Sequence, residues 1–301
     1  DNSEVFVGLD IGSTSIKALV CENVKGQLKV VGVGIAPSTG LNHGVIVDID
    51  KTAHAISQAV AQAEEKSNLT IKKLIVGLPA NYLRMQKVHG MITIAAQGQS
   101  REIVNRDVID VAKETLTQNI PPERTVLDLV PTEFSVDGFG GIKDPRGMVS
   151  VRLEMKATLY TGPKTILHNT KKAVQRAGYE IKDFVIAPIA TDFNLLNDGE
   201  QDFGTVVIDL GGGQTTTSII HDHQLKYTFV DPEGGQYVTK DISTVLNTSL
   251  KNAEKLKLNH GYADHSLADA DANINVNVVG KNEPEQFTEE YLAEVIEARM
   301  R

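Results

Sequence analysis

Only one cysteine, Cys21, and no tryptophan occur in the 301 residues. A lone thiol excludes any disulfide within the chain and fits a reducing compartment, so a cytosolic setting is expected. No apolar run reaches the ~18 residues of a membrane-spanning helix. The first residues, Asp1-Asn2-Ser3-Glu4, lack the basic start and apolar stretch of a secretory signal, so a soluble chain is expected. Positive charge is in deficit: 30 Lys and Arg against 39 Asp and Glu give a formal charge of -9. That balance offers no general attraction to nucleic acid or anionic lipid, and nucleic-acid binding is not expected. Metal-type histidine spacing is missing too. His221 and His223 fall in a turn-like stretch and read as solvated, and His260 and His265 flank the Gly261-Tyr262 turn and are expected to do no chemistry. A Gly-x-x-x-x-Gly-Lys-Ser/Thr phosphate loop and a Gly-x-Ser-x-Gly nucleophile elbow are both absent.

What remains is the composition of an ordinary globular protein, 41% hydrophobic and 23% charged. A single core stops growing near ~250–300 residues, so at least two domains are expected. The apolar run Val5–Leu9 ends in Asp10-Ile11-Gly12-Ser13, and the strand candidates Ile16–Glu22 and Leu28–Ile35 follow across a Lys25-Gly26 turn. Ala53, Ile56, Val60 and Ala63 share one face of a predicted helix over Asp50–Ser67, with Asp48 or Asp50 as its cap, ahead of a strand at Ile71–Leu78. Between about Arg84 and Thr161 the pattern predicts an inserted αβ unit: a strand over Val88–Ala95, a helix from Ser100 to Gln118, and extended stretches at Thr125–Val136 and Met148–Tyr160. Helices are then predicted over Gly162–Gly178 and Pro188–Leu196, flanking a strand at Ile181–Ile186.

The opening pattern then returns. Thr205–Leu210 delivers Asp209 to Gly211-Gly212-Gly213, and strand candidates Thr216–Ile220 and Leu225–Val230 follow. Asp209 lies roughly 200 residues after Asp10, far beyond the ~20–50-residue period of a solenoid, so a whole lobe is duplicated. Two related lobes facing each other make a cleft. Gly235–Lys257 reads as helical with a break near Thr248, Ala272–Val279 as extended, and Phe287–Arg301 as a helix begun by Thr288-x-x-Tyr.

In both repeats an apolar strand brings an aspartate to a tight turn of Gly, Ser and Thr, and a second strand leaves it. Successive backbone N–H groups in such a turn can share one concavity and bind an anion, with glycine allowing the close approach. Phosphate is the natural guest. An aspartate beside polyphosphate calls for a cation, so Asp10 and Asp209 point to Mg²⁺ held through water. Lys17, on the strand leaving the first turn, can neutralise phosphate oxygens. One glycine turn would be read as only a turn. Two copies in the same strand-turn-strand context, one followed by Lys17 and the other by Gln214-Thr215-Thr216, reverse that balance. Each turn leads to a strand and not a helix, which disfavours Rossmann and P-loop readings.

Gly8-Leu9-Asp10-Ile11-Gly12-Ser13-Thr14-Ser15-Ile16-Lys17 resembles the first phosphate segment of the actin, heat-shock chaperone and sugar-kinase superfamily, and Val207 to Thr216 resembles its second. Glu233-Gly234-Gly235-Gln236-Tyr237-Val238-Thr239-Lys240-Asp241 is similar to the helix entry that follows in that superfamily, and Glu254-Lys255-Leu256-Lys257 to its Glu-x-x-Lys pair. By itself Glu-x-x-Lys is an ordinary surface pair; its order after the other segments gives it weight. The insertion between Arg84 and Thr161, with Gly40 to Asp48 and Ile75 to Pro79, resembles the FtsA family.

That resemblance implies an α/β, actin-like (ribonuclease H-like) duplicated two-lobe fold with a nucleotide cleft and an inserted αβ subdomain. The implied boundaries are 1–83 plus 163–199 for the first lobe, 84–162 for the insertion, and 200–245 and 246–301 for the two parts of the second lobe. An adenine-binding Gly-Gly-Gly/Ala segment is not found before Arg301, so the second lobe is expected to be incomplete. ATP with Mg²⁺ is the implied cofactor. Its phosphates are assigned to Gly12, Ser13, Thr14, Lys17, Gly211, Gly212, Gly213, Gln214 and Thr215, and its nucleoside to Gly234, Gly235, Glu254 and Lys257. Also implied are self-association into filaments, recruitment of tubulin-like FtsZ, and peripheral attachment to the cytoplasmic side of the membrane at the division site. That attachment is through a C-terminal amphipathic helix not contained in these residues. Ala187 stands where polymerising relatives carry a water-positioning Glu before Pro188, so tight ATP binding with weak hydrolysis is expected and no catalytic residue is assigned. A PilM-like pilus platform and a small-molecule kinase or chaperone ATPase of the same superfamily are the competing readings.

Overall fold

The computed structural model describes residues 4–42, 44–95, 99–117 and 120–301. Asp1 to Ser3, His43 and Gln118, which entered the sequence expectations, lie outside the described residues.

The first sheet has five strands, in the spatial order Glu180–Ile186, Lys73–Leu78, Glu4–Ile11, Ser15–Val24, Gln27–Pro37. Its last three strands form an antiparallel meander, and the two others join in parallel beside the central strand. Lys25 and Gly26 both take positive φ, 53° and 87°, which is the backbone a two-residue hairpin turn needs. Alternation sets the buried face: Ile16, Ala18 and Val20 point inward from one strand, Val7 and Leu9 from the next.

Ile49–Ser67 lies across that face as a helix. Asp48 caps it by accepting from the Lys51 N–H at 3.0 Å, and Asn68 ends it in the left-handed region. Its apolar stripe of Ala55, Ile56, Ala59, Val60 and Ala63 is fully buried. Gly32 and Gly34 let the helix backbone rest directly on the meander. A Cβ on Gly34 would stand 1.8 Å from the Ala59 carbonyl oxygen, and one on Gly32 2.5 Å from that of Ala63. A second helix, Lys164–Arg176, packs beside the first, and Arg176 pairs with Asp50 across them.

A second sheet forms from the intervening residues, in the order Phe139–Ile142, Arg124–Val136, Arg152–Pro163, Arg84–Thr93. The stretch expected to run unbroken over Met148–Tyr160 is divided into Val149–Ser150 and Arg152–Pro163. Asp137 makes the break: its carboxylate accepts from the Val151 N–H at 3.1 Å and the Arg152 N–H at 2.8 Å. The accompanying helix covers Asn105–Thr115 and does not begin at Ser100. Arg101–Glu102 is spent instead on a short antiparallel pairing with Val149–Ser150. Asp107 anchors the helix start. It takes two bonds from the Arg101 guanidinium, at 2.8 and 2.6 Å, and one from the Val104 N–H at 2.8 Å.

The Arg101 guanidinium, helped by the Val104 N–H and against the opposing effect of burial, holds the Asp107 carboxyl below its ordinary range. A folded pKa below the unfolded one means that this stabilisation is complete above the unfolded value of about 4 and vanishes as pH falls through the folded value. Asp107→Asn is therefore expected to lose about 1–3 kcal/mol at pH 7, the worth of charge-assisted hydrogen bonds. The gap between the urea midpoints of the two proteins should begin to close as pH falls below about 4; a gap of constant size would refute the assignment.

A third sheet repeats the opening meander: Thr205–Leu210, Thr215–His221 and Gln224–Asp231, all antiparallel. Thr205–Leu210 is an edge strand, and its Val206, Ile208 and Leu210 are exposed. Helices Gly235–Val245 and Leu250–His260 follow, with the break between them where expected. They enclose a core of Val238, Ile242, Leu246, Ala253 and Leu256 with a two-stranded ribbon and the helix Glu289–Met300. Phe287, expected in that helix, belongs to the ribbon opposite Ile274, and Thr288 caps the helix by accepting from the Tyr291 N–H at 3.1 Å. Tyr160, Ile186, Ile220 and Leu225 form a buried cluster joining the third sheet to the other two. No helix among the described residues is long and apolar enough to cross a membrane.

Candidate functional site

The two glycine turns meet. In the first, Asp10 sits opposite Lys17 across the hairpin, with the ammonium 3.4 Å from the carboxylate. Gly12 makes the turn possible, since a Cβ there would lie 2.8 Å from the Ser15 carbonyl oxygen. In the second, Asp209 sits opposite Thr216, and the Gly211 N–H closes the loop onto the Gln214 carbonyl at 3.0 Å. Gly212 lies against Thr14, and Gly213 against Ser13. Added Cβ atoms would fall 1.8 Å from Thr14 Oγ1 and 2.5 Å from Ser13 Oγ.

Behind the second turn the helix Gly235–Val245 acts as a buttress. Gly235 and Gln236 donate their N–H groups to the carbonyls of Gly211 and Gly212 at 2.9 and 2.8 Å. The Gln236 side chain reaches across to the Ser13 carbonyl at 3.2 Å, binding one turn to the other. Gly234 is required by the same closeness, a Cβ there falling 2.4 Å from the Gly211 carbonyl oxygen. Glu254 and Lys257 share a helix face as their spacing implies, 2.8 Å apart. Lys257 also donates to the Gly235 carbonyl at 3.1 Å and to Thr239 Oγ1 at 2.9 Å.

One cavity runs between the turns. It is lined by Asp10, Gly12, Ser13, Thr14 and Lys17 from the first turn and Asp209, Gly211, Gly212, Gly213 and Gln214 from the second. Thr215, Gly234, Gly235, Glu254 and Lys257 do not line it. Thr215 donates to the Glu233 carbonyl at 2.8 Å, and the other four stand in the buttress. Ala187 and Pro188, which open the helix Ala187–Leu195, form part of the floor.

Asp192, on that same floor helix, escaped the sequence reading. It is only 2% exposed yet lines the cavity, and its Oδ2 has no hydrogen-bond partner. Burial pushes its carboxyl up, the charge of Asp209 adds to this, and a hydrogen bond from Ser218 opposes it. Other signals also lay outside the glycine turns: Gln236, which links them, and Thr239, which donates to Glu254 and holds the buttress pair.

The donor set suits a polyphosphate with a divalent cation. The glycine cradle admits no side chain, Ser13, Thr14 and Lys17 offer donors, and three carboxylates face a cavity whose one ammonium among the described residues is Lys17. Asp10, Asp192 and Asp209 are not a compact inner coordination sphere. Among the described residues, Asp264, His265 and Glu297 are the three groups whose ligand atoms fall within 4.8 Å of one another. One cation cannot be ligated directly by all three cleft aspartates in this arrangement, and Mg²⁺ accepts contact through water. The Asp264 cluster is accounted for by ion pairing: Glu297 is held by His265 and Arg301. Likewise His260 pairs with Glu289 at 2.7 Å, and His223 with Asp202 at 2.9 Å.

Residues 206–298 match the model of the family described as cell division protein FtsA, and residues 80–161 the SHS2 domain inserted in FtsA. The cell division protein FtsA of Enterococcus faecalis is 54% identical over 98% of this chain and 67% of its own length. That of Streptococcus pneumoniae is 50% identical over 98% and 64%, and that of Bacillus subtilis 40% identical over 100% and 68%. The chain thus spans about two thirds of the length of these relatives. Among solved structures, a PilM–PilN type IV pilus biogenesis complex aligns with a TM-score of 0.60 at 15% identity, over 85% of this chain and 69% of that one. MreB5 of Spiroplasma citri bound to ADP aligns at 0.52 and 12% identity, over 99% and 75%. The expected actin-like α/β fold with an inserted subdomain is the fold observed.

Proposed function

Because this chain belongs to the FtsA family of cell-division proteins, we propose that its cleft binds ATP with Mg²⁺ and that nucleotide selects an arrangement competent to polymerise. On this reading the filament tethers tubulin-like FtsZ to the cytoplasmic membrane at the division septum. Residues 1–83 with 163–199 make the first lobe, 84–162 the insertion, and 200–245 and 246–301 the second lobe.

One observation carries the reading: two glycine turns from separate sheets abut at Gly212 and Thr14, and their aspartates line a single cavity. Backbone amides and hydroxyls of the turns orient the phosphates, while Lys17 neutralises one oxygen. Asp10 and Asp209 hold the water shell of Mg²⁺, which supplies charge neutralisation when bound. Gly234, Gly235, Glu254 and Lys257 frame the nucleoside end from the second lobe. A ligand gripped by both turns changes the free energy of separating the lobes, and only that difference can shift the lobe equilibrium. Ala187 has no polar side-chain atom with which to orient an attacking water, so hydrolysis is weak.

Titration of a fluorescent ATP analogue in Mg²⁺, with phosphate release followed in the same samples, tests this. Saturable binding is expected, at least tenfold weaker in Asp209→Ala, which corresponds to about 1.4 kcal/mol. Steady turnover by the purified protein would sink the weak-hydrolysis reading, and failure to bind would sink the cleft assignment.

A further inference from the structure

We propose that Asp192 is a third carboxylate of the cation site, gripping the water shell of the metal from the floor of the cleft beside Asp10 and Asp209. The inference rests on the reading of the cleft as a site for nucleotide with a divalent cation. Asp192 lies within the helix Ala187–Leu195, away from the end where a carboxylate could cap it. It is 2% exposed, and Oδ2 is buried without a partner. No Lys or Arg forms an ion pair with it among the described residues. Its polar surroundings are the Ser218 hydroxyl and the like charge of Asp209. A purely structural role would leave a buried carboxylate facing another carboxylate with one oxygen unsatisfied, an arrangement that burial and charge both disfavour.

A hydrated cation removes both objections. Its bound waters are donors, which Oδ2 lacks, and its charge offsets the repulsion from Asp209. Water-mediated contact also agrees with carboxylates that share a cavity without converging on one inner sphere. Asp192 belongs to the floor helix, which packs on both the first sheet and the third, and its neighbours Ser218 and Asp209 lie on the third sheet.

The test uses the whole chain and its Asp192→Asn and Asp192→Ser variants. Mn²⁺ binding is followed by electron paramagnetic resonance with a non-hydrolysable ATP analogue, and thermal unfolding is followed in metal-free buffer. Wild type should show one nucleotide-dependent Mn²⁺ site. Both variants should bind that Mn²⁺ at least tenfold more weakly, yet unfold at the same or higher temperature without metal, because an unpaired buried carboxylate has gone. Unchanged Mn²⁺ affinity in a folded variant overturns the proposal, as does a lower metal-free unfolding temperature with unchanged affinity. Absence of any nucleotide-dependent Mn²⁺ site in wild type overturns the nucleotide reading of the cleft, and this inference with it.

Discussion

Gly212→Val should abolish nucleotide binding while leaving the protein folded. A Cβ at this position falls 1.8 Å from Thr14 Oγ1 and 3.1 Å from Thr14 Cβ, so the intruding atom meets the opposite turn and not the end of a long, yielding side chain. Gly212 cannot retreat, because its own carbonyl accepts from the Gln236 N–H in the buttress. Relief comes only by moving the turns apart. That separation opens the cavity and strains the Gln236 bridge to Ser13. A loss of at least 100-fold in affinity is expected, about 2.7 kcal/mol, by calorimetric titration. The far-ultraviolet spectrum should be unaltered, since Gly212 belongs to none of the apolar cores. Gly8→Ala is the matched control. A Cβ there meets nothing within 4 Å, and binding should be retained. Wild-type affinity in Gly212→Val would mean that the contact between the turns is irrelevant to the ligand.

Gly34→Val acts on the fold itself. The added Cβ would stand 1.8 Å from the Ala59 carbonyl oxygen and 2.8 Å from the Ala63 nitrogen, both backbone atoms of a rigid helix. Ala59, Val60 and Ala63 are completely buried beneath it, so the helix has no slack to give. Overpacking of ordinary cores costs about 1–3 kcal/mol; lifting a helix off its sheet should exceed that, at about 4 kcal/mol or more. Against a typical total of about 5–15 kcal/mol, the variant should be largely insoluble or unfold at much lower urea. Gly32→Ala, with a 2.5 Å approach to the Ala63 carbonyl oxygen, should fall between it and wild type. A urea midpoint within error of wild type would refute the packing argument.

The sequence exposed these features unevenly, for physical reasons. Alternation and the Lys25-Gly26 turn announced the first meander, and the recurrence of Asp and Gly around Asp209 announced the second, because local geometry selects those residues directly. The helix start in the second sheet was misplaced because Arg101 and Asp107 compete with local propensity, pairing with each other and letting Arg101–Glu102 join a distant strand. The division of the chain at Val151 depends on Asp137, which is remote in sequence, so no local pattern could announce it. In the cleft, the aspartates on the turns were legible from their setting. Asp192 was not, since a carboxylate within an ordinary-looking helix signals nothing until the fold buries it beside Asp209.

The edge strand Thr205–Leu210 has a practical consequence for any assay of assembly. A row of unpaired N–H and C=O groups bordered by exposed Val206, Ile208 and Leu210 is adhesive toward any second strand, whatever occupies the cleft. If the proposed filaments form, light scattered by this chain has two sources, of which only filament growth answers to nucleotide. Turbidity that persists without ATP, and that yields to a lysine placed at Ile208, is sheet-edge adhesion rather than filament growth.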